Sequence, residues 1–240
     1  MTKAKRTLLP TALAASAGLA GFALAFSPSQ ERTSMTLAVA PAHAHDHAAD
    51  AAPYAPWLPT GFVEAARRGV TVDGAPATLV RHVRVGGVNA VIGGEHVSAV
   101  VGENGRLKGY ARMEASLADG ALPTREEART IAMDFLARVA PELRDAHRLS
   151  WIEPHDEPLR VADAAGTARD LTVTGMKVKM RSTADGLWFW VIVGADREVM
   201  VFERDIVWQT FPGRRQTEKW LHDTWLVENG YADAILAPAG

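Results

Sequence analysis

One segment, residues 124–139, constrains this chain more than any other. Thr124 and Glu127 have the spacing of a capping box, in which each side chain answers a free backbone N–H at a helix start. Ala128, Ile131, Ala132, Phe135, Leu136 and Val139 then recur at the helical repeat and form one continuous apolar face. Pro141 ends the run, because its ring disfavours helical geometry in the residue before it. A helix of this kind must bury one side, and the chain around it is rich in strand-like segments that offer a surface.

Those segments alternate with turn signals. Residues 78–85 interleave Leu79, Val83 and Val85 with Arg81, His82 and Arg84. Strands are expected at 88–92, 96–101 and 106–113, separated by Gly86-Gly87, Gly93-Gly94 and Glu103-Asn104-Gly105. The Asn-Gly pair favours a tight hairpin, since both residues reach positive φ at little cost. Beyond the helix, strands are expected at 148–153, 171–180, 188–193 and 198–208. Apolar parity changes within 171–180 at Gly175, which predicts a β-bulge there. Residues 188–193 are almost wholly apolar, as in a strand covered on both faces.

Two further helices are expected, at 61–68 and at 217–229, the latter closed by Gly230. Leu58-Pro59-Thr60 and Leu122-Pro123-Thr124 each open a helical candidate, and strands with a tight hairpin follow both. The fold class expected is therefore α+β: a helix packed on an antiparallel sheet, with a duplicated unit as one reading and chance reuse of turn residues as the other.

The first residues read as an export segment. Lys3, Lys5 and Arg6 precede an apolar run at 8–26, and Ala23-Leu24-Ala25 and Ala42-His43-Ala44 both fit a cleavage site. An uncleaved anchor is the third reading, as the run approaches the ~20 residues that span a bilayer. The organisation expected is a signal peptide or anchor at 1–26, a His/Ala/Pro-rich linker at 27–57, helix-plus-sheet units at 58–120 and 121–230, and a tail at 231–240. Localisation to the cell envelope or exterior follows, with the membrane touched only through an uncleaved leader.

A formal net charge of −2 gives no electrostatic reason to expect nucleic acid as partner. The cysteine count of zero excludes thiol catalysis, thiolate metal sites and disulfide bridges. Stability must come from packing, to which seven tryptophans contribute.

The start Thr124-Arg125-Glu126-Glu127-Ala128 with Ala132 resembles the T/S-x-E-E-A-x-x-x-A helix start of PepSY-type domains, found in propeptides of thermolysin-like proteases and related exported proteins. Gly87-Val88-Asn89-Ala90-Val91-Ile92-Gly93, residues 97–101 and Gly105-Arg106-Leu107 are similar to the strands that precede that helix, and the hairpin at 190–199 to the pair that closes the unit. The resemblance implies a helix across an antiparallel sheet and a role in protease modulation or envelope protein binding. It supplies no catalytic residues.

Candidate sites are few. His43, His45 and His47 alternate in the linker, beside Asp46 and Asp50, and imidazoles of this kind bind Cu²⁺, Ni²⁺ or Zn²⁺. Cleavage after Ala44 would place His45-Asp46-His47 at a free terminus, where the amine, amides and third-position imidazole enclose Cu²⁺ or Ni²⁺. The other reading is a linker with incidental histidines and no cofactor. Glu218 and His222 lie four apart on the last expected helix, as a surface pair, a proton relay or half a metal site. No serine sits in a nucleophile-elbow context, and the glycine pairs lack the Lys-Ser/Thr of a phosphate loop. The expectation is an exported, non-enzymatic binding module for a protein or peptide, with Trp188, Trp190, Glu203 and Arg204 at the contact. Metal handling by the histidine cluster is the alternative, and a hydrolase using His222 is a third reading.

Overall fold

The computed structural model of the chain describes residues 52–162, 165–211 and 213–236. His43, His45 and His47, with the segment expected to be a leader and nearly all of the expected linker, lie outside the described residues.

The main element is one antiparallel sheet. Its strands are β1 (Phe62–Val72), β2 (Ala75–Arg84), β3 (His96–Gly102), β4 (Leu107–Met113), β5 (His147–Ala162), β6 (Ala168–Ser182), β7 (Trp188–Val193) and β8 (Val199–Ile206). The order is β1-β2-β3-β4-β8-β7-β6-β5. Each half is a meander in which every strand pairs with the next, and the last strands of the two halves meet in the middle, with Tyr110 opposite Phe202. A separate two-stranded ribbon joins β9 (Trp208–Gln209) and β10 (Arg214–Arg215). The helices are α1 (Arg125–Val139), α2 (Pro141–Asp145), α3 (Asp223–Glu228) and α4 (Ala232–Leu236).

The α+β expectation is corrected here. The fold is mainly antiparallel β, one eight-stranded sheet in place of two helix-on-sheet units. Residues 58–120 and 121–230 each give four strands to that sheet, and among the described residues only the second set follows an α-helix. The expected helix at 61–68 is β1. Its apolar spacing looks helical because a register shift between Glu64 and Ala66 interrupts the alternation. Phe62 therefore faces one core, while Val70 and Val72, of the same parity, face the other. Residues 88–92 are loop, and the terminal helix shortens to α3.

The capping box is present: Thr124 Oγ1 accepts from Glu127 N at 3.2 Å and Thr124 N donates to Glu127 Oε2 at 2.7 Å. Helix α1 lays Ala128, Ala132, Phe135 and Leu136 on one sheet face against Tyr110, Val191 and Phe202. Phe135 stands between Trp57 and Phe202, with ring centroids 4.7 and 5.2 Å away.

The opposite face is covered by the C-terminal segment. Trp220, Leu221, Leu226 and Ile235 pack with Val72, Leu79, Ala111 and Val201, and Trp220 Nε1 donates to Thr71 O at 2.8 Å. Gly109 permits this approach, since a Cβ there would lie 2.7 Å from Leu221 Cδ1. Both faces of β7 are thus buried: Phe189, Val191 and Val193 on the α1 side, Trp190 and Ile192 on the other.

The parity change at Gly175 has the same cause. Pairing runs unbroken through Gly175, and the shift lies instead on β5, between Leu149 and Trp151. Strand β6 buries Val173 on one face and Met176, Val178 and Met180 on the other. Gly175 stands where Ile192 and Met200 already fill the space, with Ile192 Cγ2 2.5 Å from any added Cβ.

Candidate functional site: a pocket beneath the C-terminal helix

Strands β5 and β6 are longer than their neighbours, and the distal part of their hairpin reaches the 85–95 loop at the other half of the sheet. Arg160 N donates to Gly93 O at 2.7 Å and Ala162 N to Asn89 Oδ1 at 2.7 Å. Glu95 fixes the loop from within, accepting from Asn89 Nδ2 at 3.0 Å and from Ala115 N at 2.9 Å. Helix α3 lies over the same region, and a cavity of about 390 Å³ remains beneath it. Its apolar walls are Ile92, Ala111, Met113, Leu159, Val201 and Leu221; its polar lining includes His96, Glu157, His222 and Asp223.

Two buried ionic groups flank the cavity. In the first, Asp223 at the start of α3 takes both ends of the Arg81 guanidinium, at 2.7 and 2.8 Å, and accepts from Gly93 N at 2.6 Å. Burial opposes ionisation of Asp223, but His96, Arg81 and the Gly93 N–H outweigh it and hold the carboxyl below its usual range. His96 stands 3.8 Å from the same carboxylate and points Nδ1 at Gly94 O, 2.8 Å away. Burial, reinforced by the Arg81 charge, pushes this imidazole down to about 4, so it is neutral at pH 7. Its Nε2 is enclosed and has no hydrogen-bond partner among the described residues, and Arg81 Nε is in the same state.

The second group centres on His222. Its Nε2 lies 3.1 Å from Glu203 and its Nδ1 3.4 Å from Glu157. Glu203 also accepts from Trp190 Nε1 at 3.1 Å and from Arg215 at 2.6 Å, and Glu157 sits 3.4 Å from His155. Burial alone would depress His222, but the Glu203 charge and the bonds to both carboxylates push it up to about 9. Glu157, in turn, falls to about 2 despite its burial, through its bonds to His155 and His222. His222 is an imidazolium fixed between two anions, which argues against a proton relay at neutral pH.

Among the described residues, neither imidazole is bonded to a serine or threonine, and no group of His, Asp and Glu is arranged to hold a metal. Chemically, the arrangement is a largely apolar chamber flanked by two buried ionic groups whose charges are already paired.

The residues expected at a partner surface are placed differently. Trp190 and Glu203 are buried and joined to each other, with Lys177 Nζ 4.1 Å from the Trp190 ring centroid. Arg204 is buried too, bonded to Glu142 at 2.7 Å. None of these three side chains is open to a partner in this conformation. Trp188 is half-buried under Lys179, 4.6 Å from its ring centroid. Glu218 and His222 do not share a helix face, because Glu218 precedes α3 and accepts from Asp73 N at 2.9 Å.

His96, Asp223, Arg81 and Glu157 come from four separate segments, and no local motif joins them. The one sequence signal was the presence of charges inside otherwise apolar strands, Arg81 in β2 and Glu203 in β8, since such a charge needs a partner when buried.

No protein-family model, no curated protein and no solved structure matches the chain. Among the described residues no helix is long and apolar enough to cross a membrane.

Proposed function

We propose that the protein is an exported, non-enzymatic binding module whose ligand enters the pocket beneath α3. The ligand is an apolar body, either a small molecule or a side chain offered by a protein or peptide. The observation that carries this reading is the cavity of about 390 Å³, a size suited to one small ligand, with mainly apolar walls. The PepSY-like start of α1 and the leader favour an exported binding protein on independent grounds.

Titration with the fluorophore N-phenyl-1-naphthylamine tests the reading. One molecule is expected to bind per chain, with increased emission. Val227 lines the pocket and is 53% exposed, so Val227→Trp narrows the entrance without disturbing the core. Unchanged binding by this variant would show that the ligand lies elsewhere and would refute the reading.

A further inference from the structure

We infer that the face around the β9–β10 ribbon docks on an anionic phospholipid surface, with basic side chains against the head groups and the ribbon's loop in the interface. This contact goes beyond the pocket, which lies at the other end of the β5–β6 hairpin.

Strand β6 supplies the first charges. Val178 and Met180 face the α1 core, so Lys179 and Arg181 stand on the opposite face of the sheet. In register, Lys179 lies between Trp151 of β5 and Trp190 of β7, and Arg181 between Arg148 and Trp188. Lys179 Nζ is 4.6 Å from the Trp188 ring centroid and 5.3 Å from those of Trp151 and Trp208. Trp208 opens the ribbon, so these contacts hold the ribbon beside the basic row. A ring attracts a cation but does not neutralise it.

The ribbon adds a further cation. Arg215 shares its inner face with Trp208 and is taken by Glu203, whereas Arg214 is exposed. Among the described residues, none of Arg148, Lys179, Arg181 and Arg214 forms an ion pair. In β8, Glu203 is paired with Arg215, and Asp205 with Lys108 and Arg204. Glu153, opposite Lys177, and Asp185, in the β6–β7 turn, leave the four cations in excess. The formal net charge of −2 does not oppose this, because salt limits the reach of each surface charge to ~8–10 Å.

A basic row alone suits any polyanion, and the exposed ribbon side chains decide among them. Val207 is 38% exposed, Trp208 43% and Phe211, in the ribbon's loop, 88%. A bilayer offers anionic head groups to the cations and, ~5–10 Å deeper, an apolar medium for Phe211 and Val207; tryptophan favours the boundary between the two. A nucleic acid or an acidic polysaccharide offers the charge without the apolar medium.

Vesicle flotation with the full chain tests the inference. The chain is expected to float with phosphatidylcholine vesicles containing about one-third phosphatidylglycerol and to stay in the dense fraction with phosphatidylcholine alone. The bound fraction should fall as NaCl rises from ~0.1 to ~0.5 M. Arg148→Gln with Arg181→Gln is expected to weaken partition ~25-fold, about fivefold for each charge removed. Phe211→Ser should weaken it about tenfold. These three side chains are exposed, so urea unfolding of the variants should match the wild type. In the wild type, phosphatidylglycerol brominated on its acyl chains should quench tryptophan emission, and Trp208→Phe should remove most of that quenching. Failure to float with the anionic vesicles, equal partition into neutral and anionic ones, or unchanged partition by either variant overturns the inference. Heparin or oligothymidine bound more tightly than the anionic vesicles, and equally well by Phe211→Ser, also overturns it and assigns the face to a soluble polyanion.

Discussion

Stability should fall as the pH rises through neutrality, and His222 should be the reason. Its imidazole holds its proton to about pH 9 in the folded chain against an ordinary value of 6.5. The folded state therefore binds more protons than the unfolded one between those values, and the contribution is full below 6.5 and lost toward 9. A shift of that size is worth ~3 kcal/mol near pH 6.5, ~1.5 kcal/mol near pH 8 and almost nothing by about pH 9.5. Lys177 acts in the opposite sense. Burial lowers its ammonium to about 8 from 10.5, so from about 8 upward it adds stability with rising pH. The falling limb of the wild type is thus cleanest between about 6.5 and 8. Urea unfolding followed by tryptophan fluorescence, at fixed ionic strength and a series of pH values, measures it. His222→Gln removes the titrating group and leaves Lys177 in place, so the difference between the two proteins isolates His222. That difference should favour the wild type most at about pH 6.5 and narrow by ~1.5 kcal/mol by pH 8. A difference that stays flat, or widens with pH, would refute the assignment of His222 as a trapped imidazolium.

Asp223→Ala should be among the most damaging single changes. It leaves the Arg81 guanidinium, 1% exposed, without its counter-charge, and the loss expected in urea unfolding is ~3–5 kcal/mol. Arg81→Leu with Asp223→Leu should recover a large part of that, because the buried charges leave together. Gly175→Ala should cost ~1–3 kcal/mol by overpacking, since the new Cβ meets Ile192 Cγ2 at 2.5 Å; a melting temperature equal to wild type would contradict the close approach.

Several elements could be read in advance because their cause is local. The capping box, apolar face and proline around α1 act within a few residues, and that helix forms where it was expected. The hairpin turn before β4, in which Gly105 but not Asn104 takes a positive φ, and β7 follow likewise from turn chemistry and from an unbroken apolar run. The errors arose where a distant partner overrode the local pattern. Residues 61–68 carry a helix-like spacing, yet β2 offers a ladder along the whole segment, and the bulge near Ala65 absorbs the mismatch. Gly175 imitates a bulge because both faces of β6 are covered, which depends on Ile192 and Met200 of other strands. Glu218 and His222 suggested a pair on one helix, and the real partners of His222 are Glu157 and Glu203, from β5 and β8.

By itself, the sequence determined the helix α1, most strand positions and the lack of any thiol chemistry, because each depends on residue type or on neighbours within one or two turns of chain. Only the tertiary structure decided that the two meanders merge into a single sheet, that Trp190, Glu203 and Arg204 are buried, and that His96, Glu157, His222 and Asp223 surround one cavity. The physical reason is that a buried charge or an unserved imidazole nitrogen is defined by what surrounds it. Those surroundings come from strands more than a hundred residues apart, brought together by burial on both faces of the sheet.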